Sequence, residues 1–148
     1  MPLPDTSTQM NNMSDKETKI TGVILAGGRA SRMGDVDKGL VNLNGAPLIE
    51  YVINALKPQV SSLIINANRH LARYEQYGYP VVPDLNDDYL GPLSGILASL
   101  HATKTDYIFT TPCDVPLLYP EIVQRMRDNL SGESSQPCVA HDGQRIQP

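Results

Sequence analysis

The residues able to do chemistry in this chain sit where short apolar runs end. The run Val23-Ile24-Leu25-Ala26 breaks at Gly27-Gly28 into a polar loop that carries Arg29, Arg32 and Lys38. Glycine lacks a Cβ, so backbone there can lie close to a ligand, and successive unpaired N–H groups form an anion-binding concavity. Three cations on one loop add what a di- or triphosphate needs. A glycine pair after a strand is also an ordinary tight turn with solvated charges, and the pair alone does not decide between the two. The loop lacks the G-x-x-x-x-G-K-[ST] of a Walker loop and the G-x-G-x-x-G of a dinucleotide fingerprint.

A second feature is Asp114, in Pro112-Cys113-Asp114-Val115-Pro116, after the apolar run Tyr107-Ile108-Phe109-Thr110. Proline restricts its own dihedral and that of the residue before it, so this carboxylate is held stiffly. A stiff carboxylate opposite a cationic phosphate loop suits Mg2+, which takes one or two protein carboxylates together with phosphate oxygens and water. A turn aspartate facing solvent is the plainer alternative. Asn66 closes the run Leu63-Ile64-Ile65, and Asp84 follows Pro80-Val81-Val82-Pro83. Both would stand at the carboxyl ends of strands, where open α/β sheets bind ligands. The histidines His70, His101 and His141 form no pattern with a nucleophile and read as incidental.

The elements that must position these residues alternate between two periods. The spacing predicts strands at Val23–Ala26, Gly39–Leu43, Leu63–Asn66, Pro80–Pro83, Tyr107–Thr110 and Pro137–Ala140, with a turn at Asn44-Gly45. Pro47 starts a helix whose apolar face is Leu48, Ile49, Val52, Ile53 and Leu56, and Pro58 ends it. A weakly amphipathic segment follows over Leu71–Tyr77. Another helix begins near Pro92 with Leu93, Ile96, Leu97 and Leu100 as its expected core stripe, and the last, about Tyr119 to Leu130, buries Ile122, Val123 and Met126. Gly91 and Gly95, at the start of the third helical segment, either let backbone lie against a base or ribose or simply form a loop. Strands alternating with helices predict an α/β sandwich with a largely parallel sheet covered on both faces.

At 148 residues the chain should form one domain, and 41% apolar with 19% charged residues fits a globular protein. A net charge of -4 gives no general attraction to nucleic acid or anionic membrane. Cys113 and Cys138 make neither a metal motif nor a disulfide framework, which points to the reducing cytoplasm. Residues 1–19 are polar and read as a disordered tail rather than a signal peptide, leaving 20–148 as a single nucleotide-binding domain.

Leu25-Ala26-Gly27-Gly28 followed by Arg32-Met33-Gly34 and Lys38 resembles the signature loop of nucleotidyltransferases that build sugar nucleotides and related dinucleotides. With IINANRH, GPLSG and TTPCDVP added, the likeness narrows to the molybdenum cofactor guanylyltransferase family and runs from about Thr21 to the end of the chain. That resemblance implies a Rossmann-like three-layer α/β/α sandwich of the nucleotide-diphospho-sugar transferase type. It implies GMP transfer from GTP to molybdopterin, with pyrophosphate released and Mg2+ as cofactor. By matching position, Leu25, Ala26 and Gly27 would meet base and phosphates, and Lys38 would hold the phosphates. Asn66 and Asp84 would serve the base and ribose side, Asp114 both nucleotide and Mg2+, and Arg32 the leaving pyrophosphate. Gly91 to Gly95 would line the guanosine pocket.

The family's pattern continues past the point where this sequence stops, into a segment that helps bind the pterin. The expectation is therefore a domain truncated at its C-terminus, monomeric, with transient contacts to proteins that supply the cofactor or mature molybdoenzymes. A cytidylyltransferase, a sugar-phosphate nucleotidyltransferase and a non-catalytic nucleotide-binding fragment remain the alternatives.

Overall fold

Strand β1, Ile20–Leu25, lies at the centre of the sheet and is buried on both faces, as a parallel strand between two helical layers must be. The structure, a computed structural model, describes residues 18–28, 36–85, 91–130, 137–140 and 143–144. After β1 the described chain resumes through a 3-10 turn, Lys38–Leu40, and a hairpin of β2, Asn42–Leu43, with β3, Ala46–Pro47. Helix α1, Leu48–Leu56, leads to a short 3-10 turn and to β4, Ser62–Asn66. Helix α2, Leu71–Glu75, precedes β5, Val81–Val82. Then come α3, Pro92–Ala102, β6, Tyr107–Pro112, and α4, Ile122–Asp128.

The main sheet runs β5-β4-β1-β6 with every neighbouring pair parallel. Its register brings the carboxyl ends level: Leu25 pairs with Asn66 on one side and with Pro112 on the other, and Asn66 pairs with Val82. The Ala26 N–H donates to the Asn66 carbonyl at 2.8 Å and the Cys113 N–H to the Leu25 carbonyl at 3.1 Å, extending the ladder one residue past the strands. Gly27, Asn68, Asp84 and Asp114 thereby emerge along one edge.

On one face Ile49, Val52, Ile53 and Leu56 of α1 interlock with Ile20 and Ile24 of β1, Leu63 and Ile65 of β4, Phe109 of β6 and Val123 of α4. This is the core that the spacing in α1 predicts. On the other face α3 packs over β1, β4 and β5, so the layers are helix, sheet, helix as expected.

Several local expectations are corrected. The strand expected over Gly39–Leu43 is a 3-10 turn followed by two strand residues. Asn44 and Gly45 adopt φ of 49° and 96°, the paired positive values of a two-residue hairpin turn, and they limit the pairing to β2 with β3. The leucines of α3 are not core: Leu93 is 66% exposed, and Leu97 and Leu100 are each 49% exposed. The helix instead lays Ser94, Gly95, Ala98 and Ser99 on the sheet, small residues that allow close approach. Residues 137–140 form no strand. The final helix is shorter than its apolar spacing implies, and only Val123 in it is fully buried. Residues 1–17 of the expected tail lie outside the described residues. Among the described residues, no helix is long and apolar enough to cross a membrane.

Candidate active site

The glycine turn and the proline-braced turn leave adjacent strands, β1 and β6, at the same end of the sheet. The 3-10 turn Lys38–Leu40 sets its lysine against the second of these: the Lys38 ammonium is 3.4 Å from Asp114 Oδ2, with side chains 62% and 36% exposed. A pair this exposed contributes only about 0–1 kcal/mol. Such a pair opens readily. Arg29 and Arg32, the other loop cations singled out, lie outside the described residues.

Asn66, expected with Asp84 on the base and ribose side, closes β4 at the same edge as Asp84. It is only 2% exposed, and its Nδ2 donates both to the Val82 carbonyl at 3.0 Å and to Asp84 Oδ1 at 2.9 Å. Its amide oxygen faces α3, where a Cβ on Gly95 would fall 2.2 Å from it. Gly95 thus serves contact between helix and sheet, while Gly91, at φ 64°, is exposed at the helix entrance. Asn66 acts on Asp84, the half-buried carboxylate that it aims along the site edge.

Asn68 joins the same construction, and the residue pattern did not single it out. Its Oδ1 accepts the Asp84 backbone N–H at 2.8 Å, and its Nδ2 donates to the Gly27 carbonyl at 3.2 Å. Asn66 is the last residue of β4, and Asn68 stands in the bend just beyond it. Together they tie the glycine turn to Asp84. Leu25, Ala26 and Gly27, the expected nucleotide contacts, are half-buried along this edge.

Under the Lys38–Asp114 pair lies a buried polar knot that sequence reasoning also missed. Tyr74 of α2 is fully buried and its hydroxyl donates to Asp37 Oδ1 at 2.5 Å. Burial, and then the bond to Asp37, hold this phenol well above its ordinary pKa, so it remains a donor. Cys113 is 6% exposed; burial, with Asp114 and Asp37 close by, pushes its thiol up to about 12. Iodoacetamide at pH 8 is therefore expected to label half-buried Cys138 in the native protein and to spare Cys113 until urea is added. Peptide mass spectrometry reads the result, and equal native labelling of both thiols contradicts this burial.

Among the described residues no cluster of three or more His, Cys, Asp or Glu could hold a metal. The donor set is one carboxylate with open space on its solvent side. That does not fit a resident ion caged by protein, and it does fit a cation that arrives with nucleotide phosphates as its other ligands.

Open α/β sheets bind ligands outside the carboxyl ends of their strands, and a cation opposite a carboxylate at that edge is matched to a metal-bearing polyphosphate. The class is that of α/β domains that bind nucleoside triphosphates. Within it, this chain belongs to the MobA-like NTP transferase domain family, whose model matches residues 22–148. The molybdenum cofactor guanylyltransferase of Shewanella loihica is 49% identical over 130 residues, covering 88% of this chain and 66% of its own length. Among solved structures, a nucleotidyl transferase from Methanothermobacter superposes with a TM-score of 0.62 at 28% identity, over 75% of this chain and 57% of its own. The molybdopterin-guanine dinucleotide biosynthesis protein A of Archaeoglobus fulgidus superposes with a TM-score of 0.55 at 25% identity, over 72% and 53%. The chain spans about 66% of the length of the curated relatives it matches. Nucleotidyltransferases of this family are generally dependent on a divalent metal.

Proposed function

We propose that this chain is the nucleotide-binding part of a molybdenum cofactor guanylyltransferase, which transfers GMP from GTP to molybdopterin and releases pyrophosphate. The observation that carries the reading is the Lys38–Asp114 pair, 3.4 Å apart at the end of β6. Support for guanine and for the pterin comes from the names of relatives close to half identical.

The reaction is an in-line displacement at the α-phosphorus of GTP. An oxygen of the terminal phosphate of molybdopterin forms a new bond to that phosphorus. The bond from the α-phosphorus to the bridging oxygen of the β-phosphate breaks, and its electrons leave with pyrophosphate. A phosphate monoester has its second pKa near ~6 and is mostly dianionic at neutral pH, so no general base is needed. Catalysis then rests on positioning two anions and absorbing charge. Lys38 holds the phosphates, and Arg32, by resemblance, neutralises the leaving group. Gly27 offers close backbone approach, and Asp84, aimed by Asn66 and Asn68, orients the ribose side. Asp114 would hold Mg2+, and the ion would supply Lewis-acid stabilisation of the negative charge that develops on the triphosphate. The two unpaired cysteines agree with a cytoplasmic setting.

Thermal-shift measurement with Mg2+ and each of GTP, CTP, ATP and UTP tests this. A ligand at a hundredfold excess over its Kd stabilises the fold by about 2.7 kcal/mol, a rise of several degrees in Tm. GTP is expected to give that rise and the others much less. A larger shift with CTP redirects the reading to a cytidylyltransferase, and no shift with any nucleotide overturns it.

A further inference from the structure

Lys38 is mostly exposed, on a three-residue turn that has few means of holding its own shape. Asp37 caps that turn, its carbonyl accepting the Leu40 N–H at 3.1 Å. Its side chain is taken up elsewhere, by the hydroxyl of Tyr74. The middle residue of the turn, Gly39, is buried directly against the same hydroxyl. A Cβ there would stand 2.7 Å from Tyr74 Oη, and 3.2 and 3.3 Å from Cβ and Sγ of Cys113. Cys113 is in turn fixed to β1 through its backbone and immediately precedes Asp114. One hydroxyl thus meets both sides of the Lys38 turn at the point where it abuts the Asp114 turn.

We infer that Tyr74, acting through Asp37, is a positioning residue that holds Lys38 opposite Asp114 and so sets the spacing of the phosphate site. The inference rests on the nucleotide-binding reading above and adds to it a residue remote in sequence from either charged turn. A five-residue helix does not hold itself together in water, so α2 depends on burying Tyr74. A buried phenol needs a partner for its hydroxyl. Here that partner is a carboxylate, which makes the bond charge-assisted. The bond fixes the direction of Asp37 and keeps its carboxylate turned inward, away from Lys38 and from an arriving triphosphate.

The test is calorimetric titration of the chain with GTP and Mg2+, for wild type, Tyr74→Phe, Asp37→Ala and the double variant, each well below its own melting midpoint. Tyr74→Phe is expected to raise the Kd for GTP about tenfold. It should also flatten the dependence of affinity on salt, because the Lys38 contact is the one lost. In the Asp37→Ala background the same change should cost nothing further, since both variants break one bond. A merely structural tyrosine leaves the salt dependence unaltered and weakens binding equally in both backgrounds, and that result overturns the inference. Wild-type affinity in Tyr74→Phe overturns it while leaving the nucleotide reading intact, whereas a wild type that binds no nucleotide removes both. If Tyr74→Phe does not fold, Asp37→Ala alone decides: a tenfold loss with a flattened salt dependence supports the inference, and unchanged affinity overturns it.

Discussion

Replacing Asp114 by asparagine is expected to lower turnover about a thousandfold while leaving metal-free GTP binding intact or slightly tighter. The split follows from the geometry. Without nucleotide the carboxylate is engaged with Lys38 at 3.4 Å, and both side chains are exposed enough for the pair to be weak. Asparagine removes the charge that competes with phosphate for the ammonium, so affinity in the absence of metal has no reason to fall. It also removes the carboxylate proposed above to hold the cation. A metal stabilises transition-state charge by several kcal/mol, and each 1.36 kcal/mol is a factor of ten in rate. Steady-state pyrophosphate release, from a chain carrying the full length of its relatives and given molybdopterin, reads the loss. Calorimetry with and without Mg2+ reads the binding. Lys38→Ala should show the contrasting signature, weaker GTP binding in both conditions. Near-normal turnover in Asp114→Asn removes the metal assignment.

The sheet and the principal charged pair were legible because each is a local signal repeated. β-branched runs ended by glycine, asparagine or proline locate β1, β4 and β6, and parallel pairing then brings their ends level. That is how the sequence pattern sets Lys38 against Asp114, 76 residues apart. The supporting polar network was less legible, because it is made by residue types that are usually something else. Tyr74 sits in a weakly amphipathic stretch where a tyrosine is ordinary filling, and only the tertiary structure brings its hydroxyl to Asp37. Asn68 lies within a polar strand end that reads as a turn, and its two bonds reach Gly27 and Asp84, 41 and 16 residues away. Periodicity placed α3 but misjudged its buried face. Leu93, Ile96, Leu97 and Leu100 carry the helical spacing, yet a stripe shows only that one face is apolar, not which face meets the sheet. Here close approach to Asn66 decided it, and close approach selects the smallest residues, which a hydrophobicity pattern passes over.

That preference for small residues makes Gly95→Ala a severe test. Ala is the better helix former by about 1 kcal/mol, and α3 is regular at this position, so propensity alone predicts stabilisation. Packing predicts the reverse. The added Cβ would stand 2.2 Å from Asn66 Oδ1 and 2.7 Å from its Cγ. Asn66 is not free to retreat, being buried and held through its Nδ2 by Val82 and Asp84. Either α3 lifts from the sheet, unpacking Ser94, Ala98 and Ser99, or the amide turns and its bonds break. Overpacking costs about 1–3 kcal/mol and a buried amide left unpaired about 1–3 kcal/mol more, so the steric effect wins. A net loss of about 2 kcal/mol is expected, read as a Tm several degrees lower, together with a smaller shift on adding GTP because Asp84 is no longer aimed. Leu97→Ala, two residues along on a half-exposed flank, should cost less than about 1 kcal/mol, although truncating a core leucine costs about 2–5 kcal/mol. If Leu97→Ala proves the more damaging of the two, α3 meets the sheet through its leucines, and the bracing of Asp84 by a helix seated on Asn66 is wrong.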